Sequence, residues 1–102
     1  MAHDYFSKFN KVFENRIRLG VMSILMVNES VEFTRLKELL DVTDGNLASH
    51  LSALEKEGYV AVIKQFVNRK PNTSYAVTPA GKKAFNEHLN VLEKLLKGRT
   101  KG

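Results

Sequence analysis

Asn46, Ser49, His50 and Ala53 recur at i, i+3, i+4 and i+7, which places four small or hydrogen-bonding side chains on one face of a helix. Leu47, Leu51 and Leu54 make a second, apolar face, offset by about 110° at ~100° per residue. The chemistry of the first face is that of reading a duplex. Asn pairs with adenine edges, serine serves a base or a phosphate, and imidazole suits guanine or phosphate. The Ala53 methyl matches a thymine methyl. Thr43 and Gly45, at the start of the same helix, would let backbone N–H groups approach a phosphate. Asp44 repels phosphate; it is read as a helix-start determinant that suits the positive end of the dipole and is given no base contact.

Bond-making chemistry has no comparable footing. Ser49 and His50 are neighbours in sequence, and neighbours on a helix point about 100° apart, so they form no nucleophile–base pair. The chain holds no Gly-x-Ser-x-Gly, no His-Glu-x-x-His and no Gly-x4-Gly-Lys phosphate loop; Gly81-Lys82 lacks the upstream glycine. His3, His50 and His88 are scattered, and there is no cysteine for a disulfide, a thiolate nucleophile or a cysteine-based zinc site. The expectation is a protein that is not an enzyme, with no cofactor and no metal.

The elements that must hold the duplex-reading face follow from periodicity. Phe9, Phe13, Ile17, Val21, Ile24 and Leu25 mark one helix over residues 7–27. Val31-Glu32-Phe33 suits a short strand. A second helix of about two turns is expected from Thr34 as N-cap, burying Leu36, Leu39 and Leu40. After Asp41-Val42-Thr43 the third helix starts, with Thr43 as N-cap and Gly58 as its C′ stop. Helices joined so tightly must cross steeply, as in a helix-turn-helix. Tyr59 to Val67 reads as a strand, residues 68–73 as a polar hairpin tip carrying Arg69 and Lys70, and Ser74 to Val77 as the return strand. Thr78 and Pro79 then cap and open a final helix over 79–97, with a frayed tail after it. The order α-β-α-α-β-β-α, mainly helical α+β with a long C-terminal helix, describes a winged helix-turn-helix in one domain spanning 1–102.

Charge sharpens the choice of partner. With 43% apolar and 26% charged residues the composition is that of a folded soluble protein, so dominant disorder is excluded. Residues 1–57 carry 7 basic and 9 acidic side chains, whereas 58–102 carry 9 basic and 2 acidic ones. The surplus thus sits on the wing, the final helix and the tail, which favours an anionic partner there. Arg69 and Lys70 are the best candidates for phosphate or a narrow minor groove, and Arg35, Lys37 and Lys64 could add phosphate contacts. Arg16 and Arg18, on the first helix, are not expected at DNA.

The segment from Thr43 to Val60 also resembles the recognition helix of small prokaryotic winged-helix regulators of the MarR/ArsR type, in particular a group with a TDGNL-x-x-HL-x-x-LE-x-x-GYV core. Arg18 to Leu25 is similar to the family's first helix, Arg69 to Thr78 to its wing, and Ala80 to Phe85 to the start of its last helix. The resemblance implies a DNA-binding transcriptional regulator that works as a homodimer. It fits the long stripe of Phe85, Leu89, Leu92 and Leu96, widened by Val91 and Leu95, which should exceed what a small core can cover. That stripe, with Phe6, Phe9 and Phe13, is expected at the contact between two copies. No apolar run is long enough for a membrane span, and the N-terminus lacks a signal pattern, so a cytoplasmic location is expected. The alternative is a winged-helix module that binds proteins and ignores DNA; a polar outward stripe without hydrophobic anchors argues against it.

Overall fold

Two asparagines divide the first expected helix. A computed structural model describes residues 9–101, with side chains as far as 97, and in it a short 3-10 helix (Lys11–Glu14) precedes α1 (Arg16–Met26). Asn10 Oδ1 accepts from the Val12 N–H at 3.0 Å, and Asn15 Oδ1 accepts from Ile17 and Arg18 at 2.9 and 3.1 Å. Each side chain satisfies donors that only a helix start leaves open, so each begins an element anew. The continuous helix over 7–27 is therefore corrected to two pieces, and positions 7 and 8 lie outside the described residues.

Strand β1 (Val31–Glu32) leads directly into α2 (Phe33–Leu40). The N-cap is Glu32, without a side-chain cap bond, and Thr34 lies inside the helix rather than capping it. The start is set by strand pairing and by Phe33, whose ring packs 6.5 Å from that of Tyr75. Asp41 adopts φ 53° and closes α2 with a bond from its N–H to the Lys37 carbonyl at 2.9 Å. Helix α3 (Asp44–Lys56) follows, capped by Thr43 as expected, with the Asn46 N–H donating to Thr43 Oγ1 at 3.2 Å. It ends in a Schellman arrangement: Gly58 N–H donates to the Glu55 carbonyl and Tyr59 N–H to that of Leu54. Gly58 at φ 78° is the residue that makes this turn possible.

Strands β2 (Val60–Val67) and β3 (Lys70–Val77) form an antiparallel hairpin, and β1 adds to the far edge of β3 in the order β1-β3-β2. The expected six-residue tip is only two residues, Asn68 and Arg69, because pairing continues through Phe66–Pro71 to Val67–Lys70. Proline is tolerated in β3 because β1 pairs only with Ser74 and Tyr75, which leaves Pro71 an open edge that needs no donor. Helix α4 (Pro79–Lys101) runs past Lys97 rather than fraying there; Gly98 weakens a helix by only about 1 kcal/mol.

The core is made of Phe13, Val21, Met22, Leu25, Val31, Leu36, Leu47, Leu51, Leu54, Val60 and Phe85. It draws on every helix and on two strands, so α3 is held by its leucine face and leaves the other face out. The start of α4 is locked onto the end of α3. Thr78 Oγ1 donates to the Gly58 carbonyl at 2.6 Å and accepts from the Gly81 N–H at 2.9 Å, while the Thr78 N–H donates to the Tyr59 carbonyl at 3.0 Å. A Cβ at position 81 would run into the Tyr59 carbonyl oxygen and lie 2.9 Å from Val77 Cγ2. Because the obstacle is backbone, it cannot step aside. Gly81→Ala is expected to lower stability by about 1–3 kcal/mol, seen as a lower urea midpoint with an unchanged m value.

Candidate nucleic-acid interface

Helix α3 presents the sequence-derived stripe unevenly. Asn46 and Ser49 are exposed, whereas His50 and Ala53 are half-buried on the flank that meets α1 and the 3-10 helix. Ala53 sits beside Lys11, Val12, Arg18 and Glu57 at a shallow depression of about 270 Å³. Gly45, Ser49, Ser52 and Lys56 form the line lying about 180° round the helix from the three leucines, and all four are exposed. Ser52 and Lys56 were missed by the sequence reading. The leucine stripe held the signal, since its opposite meridian is fixed once Leu47, Leu51 and Leu54 are placed in the core.

Asp44 is joined to Lys37 of α2 at 2.9 Å. The pair is exposed and contributes little stability. Its effect is local, since a lysine one helix away offsets the carboxylate at the start of α3. Arg35 of α2 is exposed. Thr43 and Gly45 stand at the exposed start of α3, and among the described residues no other element would meet a Cβ at Gly45.

Asn68 and Arg69 at the wing tip have φ 52° and 66°, the pair of left-handed conformations that a two-residue type I′ turn requires. Asn accepts this state readily; Arg holds it at a penalty of roughly 1–2 kcal/mol. Lys70 follows as the first residue of β3. The face of the wing turned toward α2 carries Lys64 and Thr73, and with Thr34, Phe33 and Tyr75 it bounds an open groove of about 430 Å³. Lys64 and Thr34 thus lie together at the mouth between wing and helix-turn-helix, which gives Lys64 a definite face and adds Thr34 and Thr73, which sequence spacing did not single out.

The residues expected at a contact between copies divide into two sets. Phe13 and Phe85 are 1% and 4% exposed and belong to the chain's own core, their rings edge-on at 5.2 Å. Their assignment to an intermolecular contact is corrected on that ground: both rings are spent on the chain's own core, and Phe85 shows only a sliver at the floor of the groove between α1 and α4. Phe9 packs its ring 5.2 Å from His88 within the chain, and Phe6 lies outside the described residues. Leu89, Leu92 and Leu96 are 42%, 44% and 53% exposed. Leu89 and Leu92 border an apolar groove of about 380 Å³ between α1 and α4, with Leu19, Met26 and Val27 on its other wall. Val27 is 80% exposed.

Two histidines inside this framework are held neutral. His88 Nδ1 accepts from the Asn10 N–H at 3.3 Å, and the ring lies 5.5 Å from that of Phe13. Burial pushes its pKa below 6.5, against a weaker opposing pull from Glu14. His50 is also lowered, by burial first and then by the charge of Arg18. For both, the unfolded chain binds the proton more readily than the folded one. Their contribution to stability is therefore complete above about pH 6.5 and is lost as pH falls through the lower folded values. Thermal unfolding should show Tm dropping between about pH 7 and 5, and His88→Phe, which removes one of the two groups, should reduce the drop.

The arrangement is a winged helix-turn-helix with an exposed polar helix face and a basic hairpin tip. A family model described as a winged helix DNA-binding domain matches residues 17–96. The chain belongs to this family, which binds DNA and is not enzymatic. The uncharacterised protein MJ0432 of Methanocaldococcus jannaschii is 34% identical over 87 residues, covering 85% of this chain and 95% of that one. The structure of a transcriptional regulator homologue from Pyrococcus horikoshii superposes with a TM-score of 0.77 at 33% identity, covering 85% of this chain and 86% of that one. Bacillus subtilis PadR, solved in complex with operator DNA, shares the fold with a TM-score of 0.65 at 13% identity, over 74% of this chain and 48% of that one. Among the described residues no group of three or more ligand-type side chains could hold a metal ion, and no helix is long and apolar enough to cross a membrane.

Proposed function

We propose that this chain is a transcriptional regulator that binds a pseudo-palindromic duplex site as a homodimer, with α3 in the major groove and the wing tip on the backbone or in the neighbouring minor groove. The observation that carries the reading is the outward line of α3, which is polar, narrow and backed by a leucine face wholly committed to the core. Thr43, Gly45, Asn46, Ser49 and His50 supply groups of a size that can reach base edges or phosphates, and Ser52 and Lys56 extend the line. Ala53, on the flank, is in reach only of a base that lies toward α1.

Arg69 supports the same reading from a different direction. A glycine at position 69 would relieve the left-handed strain, so an arginine there is retained at the expense of stability, as residues at functional sites often are. Arg69→Gly should stabilise the free protein by about 1 kcal/mol while weakening binding to every duplex and lowering the slope of log K against log salt by about one. A gel-shift titration at several salt concentrations decides the matter; an unchanged slope would remove Arg69 from the interface.

The dimer we infer uses the apolar groove between α1 and α4, because Leu89, Leu92 and Val27 expose large apolar side chains side by side along it, the kind of contiguous patch that marks a contact surface. Two copies joined there could present two α3 helices to half-sites about 34 Å apart. Leu92→Glu should convert the protein to a monomer in sedimentation equilibrium and abolish cooperative binding to paired half-sites, while the circular dichroism spectrum keeps its helical content. A Leu92→Glu protein that stayed dimeric would place the contact elsewhere.

A further inference from the structure

Arg18 is on α1, away from the exposed line of α3, yet it reaches a residue of the reading helix. Its Nε donates to the Val12 carbonyl at 2.6 Å, and a terminal guanidinium nitrogen lies 3.2 Å from His50 Nδ1. Its own backbone N–H donates to Asn15 Oδ1 at 3.1 Å. The side chain is thus held at its root by the cap of α1 and along its length by the 3-10 helix, and its remaining donor is aimed at the imidazole.

A guanidinium has donors and no acceptor. The ring nitrogen it faces must therefore be unprotonated, and the proton of the neutral imidazole lies on the opposite nitrogen, Nε2. Among the described residues nothing accepts from that Nε2, and His50 as a whole is only half-buried. The burial and the neighbouring charge that keep the ring neutral act in the same direction as this geometry.

We propose that Arg18 is a positioning residue which fixes His50 as an Nε2–H donor, and that His50 held in this way selects guanine at one position of each half-site. The proposal rests on α3 occupying the major groove. A single fixed donor finds two acceptors, N7 and O6, on guanine. Adenine sets an amino group beside its N7, cytosine offers an amino donor alone, and thymine flanks its O4 with a methyl group. The other tautomer would present an acceptor and favour the amino groups of adenine and cytosine. Arg18 therefore decides which sign of hydrogen bond the helix offers, without touching DNA itself.

The first test needs no variant of Arg18. Long-range 15N–1H correlation spectra of the full-length protein at pH 7, with His50 identified by its loss in His50→Ala, should show one neutral tautomer protonated at Nε2. A proton on Nδ1, or an even mixture, overturns the proposal. The second test selects sites from a randomised duplex library. His50→Ala should reduce a guanine preference at one position per half-site by about tenfold. Arg18→Met should reduce the preference at that same position and give mixed tautomers, with affinity for unselected duplex kept within about twofold. A guanine preference that survives Arg18→Met sinks the proposal, and so does a selected site with no position sensitive to His50, although α3 would then still stand in the groove. A wild-type selection that enriches no sequence at all is a different failure: it removes the major-groove reading, and the proposal with it.

Discussion

Three working parts of this molecule meet at one joint. The carbonyls of Gly58 and Tyr59, just past the end of α3, take hydrogen bonds from the hydroxyl and the N–H of Thr78, and Gly81 lets α4 come down onto the same backbone. Helix α3 ends there, the wing begins and ends there, and α4 starts there. The geometry is demanding because two backbone carbonyls must be satisfied by one residue while a helix packs against them with no Cβ between. Thr78 meets it by serving as N-cap and as partner at once. As a result the angle between helix, wing and final helix is set by bonded contacts a few ångströms long, and the hydrophobic core beneath only has to hold that angle.

Electrostatics is distributed in keeping with that division. Helix α3 carries Asp44 and Glu55 against a single Lys56, with Glu57 at its C-cap, so it is slightly acidic along its length. The basic surplus lies on the wing and on α4, and Lys37 of α2 offsets the carboxylate of Asp44 at the start of α3. Attraction to a polyanion is thereby separated from discrimination among bases, since long-range charge steers and orients whereas short polar groups at fixed positions distinguish edges.

Much of this was legible in the sequence, and the reasons differ from element to element. Thr43, Gly58, Thr78 and Pro79 are local signals whose physics is complete within four residues, so the ends of α3 and the start of α4 could be placed from them. Asn10 and Asn15 carry the same kind of signal, but they were overridden by a stripe of apolar residues that looks continuous because Phe13 and Val21 share one core. The two-residue wing tip was hidden because Arg69 is a poor residue for a left-handed turn and Pro71 a poor one for a strand; pairing of Phe66 and Val67 across the ribbon outweighs both. Burial of Phe13 and Phe85 could not be told from exposure by spacing, since a stripe facing one's own core and a stripe facing a partner have the same period. The reach of Arg18 to His50 spans 32 positions and has no sequence signature.

The pairing of the small sheet has a mechanical consequence. Strand β1 supports β3 only at Ser74 and Tyr75, so among the described residues the wing from Lys64 to Thr73 is a two-stranded ribbon with no third strand and no core beneath it. It is a cantilever, clamped at Val60 and Val77 and loaded at Arg69. A beam of this kind is stiff along its length and compliant to bending and twisting, as isolated hairpins are. In the binding mode proposed above, such a tip would follow a groove wider or narrower than average while the clamp, and with it α3, stays where it is.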